Sequence, residues 1–317
     1  MEKRKLGNTG MEITRVGVGA WAMGGPGEWG WGPQDDRNSM DTIRHAIDSG
    51  INWIDTAPAY GRGHSETVIG ETLKGMATKP YIFTKCSLVW DGQGPVTNNL
   101  KAASIRREVE DSLRRLQIAV IDLYQIHWPI PDEDIEEGWQ TLVDLKKEGK
   151  IRHIAVSNFD VKQMKRAMQI APISSNQVPY SAVRPEVGKE TLPFCKDNNI
   201  GVLVYSPMQA GLLSGKMTRE RIAGLPEGDW RSRSELFKEP RLSRNLALQD
   251  LVVKLAHERG RTAPEIAVAW VLANPAVTSA IVGARRPDQV DGFIGAGEFR
   301  LDAAALERIN TFISENP

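Results

Sequence analysis

Short apolar stretches recur along the chain, and a segment with helical spacing of its apolar residues follows most of them. The stretches predict eight strands, at Val16–Gly19, 51–55, 81–85, Ile121–Ile126, 154–157, 174–178, Gly201–Tyr205 and 277–281. The helical spacing predicts helices over 38–49, 65–74, 100–116, 133–148, Val161–Met168, 189–198 and 246–259. Strands that alternate with helices form a parallel sheet, and eight such units favour a closed barrel. We therefore predict an α/β fold, a (β/α)8 TIM barrel that occupies residues 1–317 as a single domain.

Three segments depart from this alternation. Residues 3–16 carry Asn8, Thr9 and Gly10 between two alternating stretches, which predicts an N-terminal β-hairpin. Residues 207–244 follow the seventh strand and are rich in Gly, Pro, Arg and Ser. This long loop is too long for a simple connector, and we expect it to act as a lid over the barrel. Residues 299–317 have apolar positions at helical spacing and are expected to pack on the barrel as an extra helix or loop.

Composition narrows the function. Lys plus Arg and Asp plus Glu each number 40, so a net charge of zero gives no global field for a polyanion such as DNA. We expect a small-molecule substrate, and no nucleic-acid or membrane partner. The start of the chain lacks an apolar targeting segment and no feature marks an interface, which predicts a cytoplasmic monomer. Cys86 and Cys195 lie outside any CxxC or Cys/His cluster, so we expect two reduced thiols and no metal.

Four polar residues lie at or just after the ends of three consecutive predicted strands. Asp55 ends the second strand, Tyr60 follows in its loop, Lys85 ends the third and His127 follows the fourth. In a TIM barrel the chemistry gathers at the carboxyl ends of the strands, so these side chains should converge on one rim. Taken singly, each has an ordinary structural use, such as a turn cap or a packed aromatic ring. Their common position at successive strand ends favours a catalytic group.

The residue types indicate a reaction. A free Tyr has a pKa of about 10, and a nearby ammonium group would lower it towards the working range. We therefore expect Lys85 to lower the pKa of Tyr60, and Asp55 to keep Lys85 protonated. His127 would hydrogen-bond a carbonyl oxygen. An acid and an oxyanion donor without an obvious nucleophile fit hydride transfer to a carbonyl.

Ordered motifs around these residues resemble the aldo-keto reductase family, and in particular its bacterial members related to potassium-channel β subunits. The resemblance covers nearly the whole chain. Its motifs are DTAPAYG at 55–61, HSE at 64–66, TK at 84–85, DLYQIHW at 122–128, VSNF at 156–159, YSP at 205–207 and IVGAR at 281–285. The resemblance implies an NADPH-dependent oxidoreductase that reduces aldehydes or ketones. Tyr60 would be the proton donor, tuned by Lys85 and Asp55, and His127 would orient the substrate.

The resemblance also implies where NADPH (or NADP+) lies. Ser157, Asn158 and Gln177 would hold the nicotinamide carboxamide, and Tyr205 would stack on the ring. The full set of implied cofactor positions is Ala20, Trp21, Asp55, Ser157, Asn158, Gln177, Tyr205, Ser206, Pro207, Met208, Gly211, Leu212, Ser214, Lys216, Ile281, Gly283, Ala284, Arg285 and Gln289. One position departs from the family pattern, because Phe293 stands where many relatives carry an Asn near the adenine.

The residues after the eighth strand bear on the choice of nucleotide. Arg285 precedes a predicted helix start with Pro287 in its first turn, where backbone N–H groups and an Arg favour a phosphate. We therefore expect NADPH rather than NADH.

Three tryptophans follow predicted strand ends and suggest the nature of the substrate. Trp21, Trp90 and Trp128 are expected to wall a pocket for an apolar or aromatic carbonyl compound. The loose glycine pattern at 17–22 does not indicate a Rossmann fold, because 23–27 is rich in helix-breaking residues. An alternative function stays open, that of a nucleotide-binding regulatory subunit with little turnover.

Overall fold

The fold is seen in a computed structural model, which describes residues 1–27 and 30–316. The strands of the described residues are β1 (Lys3–Lys5), β2 (Glu12–Thr14), β3 (Val16–Gly19), β4 (Trp53–Asp55), β5 (Tyr81–Cys86), β6 (Leu88–Val89), β7 (Thr97–Asn98), β8 (Ile121–Ile126), β9 (Ile151–Ser157), β10 (Ser175–Pro179), β11 (Gly201–Tyr205) and β12 (Ser279–Gly283). The α-helices are α1 (Asp36–Asp48), α2 (His64–Leu73), α3 (Ala102–Leu116), α4 (Ile135–Lys147), α5 (Val161–Met168), α6 (Thr191–Asp197), α7 (Arg219–Ala223), α8 (Arg241–Glu258), α9 (Ala263–Ala273), α10 (Pro287–Asp291) and α11 (Ala303–Glu315).

Eight parallel strands close into a barrel in chain order, β3, β4, β5, β8, β9, β10, β11 and β12. The ring closes where β12 pairs with β3, with Ala280 opposite Val16 and Gly283 opposite Gly19. The remaining strands form two antiparallel hairpins, β1 with β2 and β6 with β7. The predicted (β/α)8 barrel and the N-terminal hairpin are therefore confirmed.

The barrel interior is an apolar layer with the N-terminal hairpin beneath it. One buried cluster joins hairpin residues to one side chain from each of six barrel strands: Leu6, Met11, Ile13, Trp53, Phe83, Leu123, Ala155, Leu203 and Ile281. Trp53 fits because the neighbouring strand carries Gly17, where a Cβ would lie 2.1 Å from the indole ring. Alternate residues of the strands, such as Ile54 and Val204, pack outwards in a second cluster with the helices.

The alternation of strand side chains places the functional residues. Successive side chains of a strand point to opposite faces, so the residue two positions after an interior one is also interior. Two positions above the apolar layer, at the carboxyl ends of the strands, lie Asp55, Lys85, Gln125, Ser157, Tyr205 and Gly283. Five of these six residues are polar, and they lie directly above the apolar layer.

The helices in the last third of the chain differ from the predictions in two places. Helix α8 begins at Arg241 rather than at 246, and α9 was not predicted at all. Helix α9 is buried on nearly every side, from Ile266 to Leu272, so its sequence shows no polar face from which to recognise an amphipathic helix. Its start does carry a sequence signal, because Thr262 and Glu265 form a capping box.

The long loop that was expected to form a lid has helical elements of its own. It contains α7 and two short 3-10 turns, Trp230–Arg233 and Glu235–Phe237. The C-terminal helix α11 packs beside α8. None of the described helices is long and apolar enough to cross a membrane.

Candidate active site

Asp55, Tyr60 and Lys85 are in direct contact. The Lys85 Nζ lies 2.6 Å from Asp55 Oδ1 and 3.4 Å from the Tyr60 hydroxyl, and it donates to the Thr56 carbonyl at 2.9 Å. Lys85 is 0% exposed and Asp55 is 2% exposed, so the ion pair is shielded from water. Lys85 therefore has one anionic partner, Asp55, and two neutral acceptors, the Thr56 carbonyl and the Tyr60 hydroxyl.

The loop that carries Tyr60 packs backbone to backbone on the turn Trp21–Gly24, which follows β3. A Cβ on Gly24 would lie 2.6 Å from the Tyr60 carbonyl carbon, and a Cβ on Gly61 would lie 2.0 Å from the Gly24 oxygen. Gly61 also has a φ of +61°, in the left-handed region that favours glycine. The two glycines thus permit the close approach that brings Tyr60 to Lys85.

Two glutamines hold the second oxygen of Asp55. Gln177 Nε2 donates to Oδ2 at 2.7 Å and Gln125 Nε2 donates to it at 3.2 Å. Gln177 was expected at the site, whereas Gln125 was missed. The signal for Gln125 is an uncharged polar residue two positions after Leu123 on the interior face of a strand.

The electrostatics of Tyr60 differ from the expectation. Burial, and then the charge of Asp55, raise the pKa of Tyr60 well above its ordinary value, so the predicted lowering by Lys85 is wrong for this structure. The reason is that Asp55 offsets the Lys85 charge at close range, while burial disfavours the phenolate. Burial also lowers the pKa of Lys85, and the charge of Asp55 opposes that effect.

His127 lies edge-on to Tyr60, with the ring centroids 5.9 Å apart and the ring planes at 82°. Burial, and then the Lys85 charge, hold the pKa of His127 well below its usual range, so the imidazole is neutral. Its Nδ1 is buried and has no hydrogen-bond partner among the described residues. The structure therefore brings all four predicted catalytic residues together on one rim, as expected.

The residues expected to hold the nicotinamide form one network beside this group. Asn158 Nδ2 donates to the His127 carbonyl at 3.0 Å and to Ser157 Oγ at 3.1 Å. Its Oδ1 accepts from the Tyr205 hydroxyl at 2.9 Å, and Ser157 Oγ donates to the Gln177 carbonyl at 3.0 Å. The network ties β8 to β9, β10 and β11 at their carboxyl ends.

Next to the network, two neighbouring strands end in glycine, and we call the open surface that they leave on the rim the glycine bed. The uppermost interior positions of β3 and β12 are glycines, Gly19 and Gly283, which lie opposite each other. A Cβ on Gly19 would lie 2.7 Å from Ile281 Cγ2, directly below. The side chains of Ala20, Ile281 and Ala284 are buried, so these three expected cofactor positions offer mainly backbone.

The turn after β11 has an unusual backbone. Ser206, Gln209, Ala210 and Gly211 all have positive φ, between +46° and +94°. Ser214 Oγ donates to the Gly211 carbonyl at 2.7 Å, which tightens the turn. Of the other positions expected along the cofactor here, Pro207 and Leu212 are buried, Met208 is half-buried and Lys216 is exposed.

Arg285 lies beyond the eighth barrel strand and faces the loop before α1. Its side chain donates to Gln34 Oε1 at 2.7 Å and to the Pro33 carbonyl, and its backbone N–H donates to Gln289 Oε1 at 2.7 Å. Burial, and then the charges of Arg286 and Arg231, lower the pKa of Arg285. Arg286 pairs with Asp288 at 3.0 Å, whereas Arg285 forms no ion pair with the described residues.

Three tryptophans from two loops, the one after β3 and the one after β11, gather above Tyr60. Trp21 lies 6.4 Å from the Tyr60 ring, Trp230 stacks on Trp21 at 5.6 Å, and Trp31 meets both edge-on. Arg231 lies over the Trp31 ring at 5.0 Å. We call Trp21, Trp31 and Trp230 the aromatic roof. The long loop after β11 thus reaches the site, but neither Trp31 nor Trp230 was predicted there.

The other two expected pocket tryptophans differ in position. Trp128 lies parallel to His127 with ring centroids 6.4 Å apart, and it is 38% exposed at the rim. Trp90 is half-buried within the β6–β7 hairpin, directly after β6, and has no part in the contacts among the described rings of the roof. Phe293, the departure from the family pattern, is 2% exposed in the core and is not available to a ligand.

A closed parallel barrel with a Tyr, Lys, Asp and His at its carboxyl rim defines a TIM-barrel protein with an acid–base site. The profile of the aldo/keto reductase family matches residues 15–314, and the chain belongs to that family of oxidoreductases.

Named relatives support the assignment. The chain is 39% identical to the aldo-keto reductase YhdN of Bacillus subtilis (strain 168), covering 99% of this chain and 94% of that protein. It is 36% identical to the NADH-specific methylglyoxal reductase of Escherichia coli (strain K12), covering 96% of each. A putative voltage-gated potassium channel subunit beta of Schizosaccharomyces pombe is 28% identical over 99% of this chain and 94% of that protein, which agrees with the predicted resemblance to such subunits.

A solved structure agrees over the whole chain. The glycerol dehydrogenase AKR11B4 from Gluconobacter oxydans has a TM-score of 0.91 and 38% identity, covering 99% of this chain and 96% of that one.

Proposed function

We propose that this protein is an NADPH-dependent carbonyl reductase that converts aldehydes or ketones to alcohols. One observation carries the proposal, namely that a buried Lys85–Asp55 ion pair reaches the Tyr60 hydroxyl beside a neutral His127. That arrangement offers one proton and one neutral hydrogen-bonding ring at the same place. It contains no obvious nucleophile, as carbonyl reduction requires none from the protein.

The residues present fit a nicotinamide dinucleotide. The glycine bed at Gly19 and Gly283 leaves space on the rim beside Asp55, and the turn after β11 presents backbone in a left-handed conformation. Arg285 lies among like charges without a described carboxylate partner, which favours an anion at that end. When bound, NADPH supplies the hydride. Ser157, Asn158 and Gln177 would hold its carboxamide, and Tyr205 its ring.

Each member of the catalytic group has a task. The raised pKa of Tyr60 keeps the phenol protonated in the free enzyme, so the proton is in place before a substrate binds. As the carbonyl oxygen gains negative charge, Tyr60 donates its proton to it. Lys85, 3.4 Å away, then stabilises the phenolate that remains. His127 holds the carbonyl oxygen next to Tyr60.

The substrate is proposed as an aldehyde or ketone that fits beneath the aromatic roof. Trp21 and the exposed Trp128 offer apolar walls beside Tyr60 and His127. Two of the relatives are named for small oxygenated compounds, methylglyoxal and glycerol. A useful panel therefore combines small oxygenated carbonyl compounds with aromatic aldehydes.

The test is turnover of NADPH with this panel, followed as the loss of nicotinamide absorbance. We expect turnover by the wild type, and a loss of at least about a thousandfold in Tyr60→Phe, because the proton donor is removed. Binding of NADPH, followed by quenching of tryptophan fluorescence, should be unchanged in Tyr60→Phe. Lys147→Ala is the control, because Lys147 is exposed at the end of α4 that leads into the amino end of β9, on the side of the barrel away from the rim.

A second candidate is a nucleotide-binding regulatory subunit with little turnover, favoured by the likeness to the potassium channel subunit. Tight binding of NADPH by the wild type, without turnover on any panel member, would support this reading and contradict the reductase.

A further inference from the structure

Ser87 follows β5 and connects its end to the end of β8. Its backbone conformation is one that residues other than glycine seldom adopt. Its φ is +81°, and a residue other than glycine holds such a conformation only when its surroundings compensate for the strain. Ser87 is fully buried. Its carbonyl accepts from the Asn99 N–H at 3.0 Å, and its hydroxyl lies 3.3 Å from the Trp128 nitrogen and 3.4 Å from the Trp128 oxygen.

The remaining polar group of Ser87, its N–H, is held by a buried carboxylate. It donates to Glu108 Oε2 at 2.9 Å, and Ser104 Oγ donates to Glu108 Oε1 at 3.1 Å. Glu108 is 8% exposed, and no described cation forms an ion pair with it. Arg107 and Arg115 lie on the same helix, and Arg115 is already paired with Glu66 at 2.7 Å.

Such a carboxylate lowers stability when it is charged. Burial raises the pKa of Glu108 to about 7, against smaller opposing effects of Ser104, Ser87, Arg107 and Arg115. The titratable groups nearby on other elements are Cys86, Tyr124 and Glu66, and none of them carries a compensating positive charge. A buried charge kept at a net cost points to a role other than stability.

The contacts of Ser87 indicate that role. Lys85 lies two residues before it, and the carbonyl of the intervening Cys86 accepts from the His127 N–H at 3.0 Å. The Ser87 hydroxyl holds Trp128, the next residue after His127. One backbone segment therefore connects the strands that carry Lys85 and His127, and Glu108 holds that segment from the helix side.

We propose that Glu108 is a positioning residue of the reaction proposed above, which holds Ser87 in its left-handed conformation and thereby sets the placement of Lys85 relative to His127. It does not contact the substrate. The inference rests on the proposed function, and it concerns the hydrogen bond from the Ser87 N–H rather than the charge alone.

The test compares variants that keep or remove this hydrogen bond. Glu108→Gln keeps an acceptor oxygen at the same distance, whereas Glu108→Met has similar length and cannot accept in the same way. Glu108→Asp, shorter by one methylene, is a second disruptive variant should the Met variant not fold. Ser104→Ala is the matched control, because it removes the other hydrogen bond of Glu108 and leaves Ser87 untouched.

We expect Glu108→Met to lower kcat by about 10-fold to 100-fold at unchanged KM for NADPH, since small misplacements of catalytic groups have effects of this size. Glu108→Gln and Ser104→Ala should stay within about twofold of the wild type. Hydrogen exchange, followed by mass spectrometry, should be faster at residues 85–90 and 126–128 in Glu108→Met alone. A residue that served stability only would change the melting temperature and not kcat of the folded enzyme.

Two results would overturn the inference, and they are distinguishable. If the wild type turns over and Glu108→Met has the same kcat and the same exchange, the positioning role fails while the proposed reaction stands. If the wild type is inactive on every carbonyl compound, the proposed reaction fails, and this role of Glu108 fails with it.

Discussion

At the scale of single residues, the site depends on how a few buried charges are shared. Lys85 donates a hydrogen bond to Asp55, and Asp55 accepts hydrogen bonds from Gln125 and Gln177. Both charges therefore have hydrogen-bonding partners although they are shielded from water. Buried ion pairs are tolerated only when their remaining hydrogen-bonding capacity is satisfied. The two glutamines are therefore part of the acid–base group, although neither reaches the Tyr60 hydroxyl.

The two glutamines should have separable effects. Gln125→Leu removes one donor from Asp55, and we expect kcat/KM to fall about 10-fold, as for a lost hydrogen bond to a charged group. Gln177→Leu should lower kcat/KM as well, and it should also raise the KM for NADPH, because Gln177 is proposed to hold the carboxamide. Steady-state kinetics with each substrate varied in turn would check this. Equal effects of both variants on the KM for NADPH would contradict it.

Arg285 should decide the preference for the nucleotide. Arg285→Ala removes the cation proposed to meet the 2′-phosphate, so we expect the KM for NADPH to rise about 10-fold or more, as for a lost charge-assisted contact. The KM for NADH, which lacks this phosphate, should change little. Arg286→Ala, at a residue already paired with Asp288, is the control. One relative is named as NADH-specific, so the preference of the wild type must be measured as well. A wild type that prefers NADH would contradict the proposal.

At the scale of elements, loops from different strands meet over the rim. Trp21 and Trp31 follow β3, whereas Trp230 comes from the short 3-10 turn in the long loop after β11. Stacked aromatic pairs contribute about 0.5–1.5 kcal/mol beyond the area they bury. The aromatic roof therefore joins the long loop after β11 to the loop after β3, beside Tyr60.

Removal of Trp230 should weaken substrate binding more than chemistry. In Trp230→Ala the stack on Trp21 is lost, and we expect the KM for an aromatic aldehyde to rise about threefold to tenfold, as the energy of such a pair implies. Trp230→Phe keeps an aromatic face and should stay close to the wild type. The measurement is KM for the aldehyde at saturating NADPH. An unchanged KM in Trp230→Ala would contradict a pocket role for the roof.

At the scale of the whole molecule, the charged form of Glu108 lowers the stability of the fold, although the residue is proposed to serve the reaction. Its pKa is about 7 in the folded protein and close to 4.5 in the unfolded chain. Since the folded state retains its proton up to a higher pH, the stability due to this group is full below about pH 4.5. It is lost as the pH rises to about 7.

Glu108→Gln should remove this pH dependence. Gln does not titrate, so we expect the free energy of unfolding of the variant, relative to the wild type, to increase by about 2–3 kcal/mol between pH 5 and pH 8. Urea unfolding at the two pH values would measure it. A relative stability that falls over this range would show that the carboxylate is stabilised by the fold rather than penalised.

Much of the site could be predicted because its members share a simple rule. Asp55 ends its strand and Lys85 is the last but one residue of its strand. Tyr60 and His127 follow strand ends, and parallel strands in a barrel bring such ends to one rim. Gln125 follows the same alternation but was missed, since a single amide within a strand carries no charge to draw attention. Helix α9 was missed for the opposite reason, because it is apolar on almost every side.

The sequence by itself determined the barrel, the N-terminal hairpin and the common position of Asp55, Tyr60, Lys85 and His127 on one rim, because these follow from the alternation of strands and helices and from a local turn signal. Only the tertiary structure decided the direction of the shift in the Tyr60 pKa, the assembly of the aromatic roof and the hydrogen bond from Ser87 to Glu108. Each of these depends on contacts between residues far apart in the chain. The pKa also sums burial and opposing charges at distances that no sequence pattern specifies.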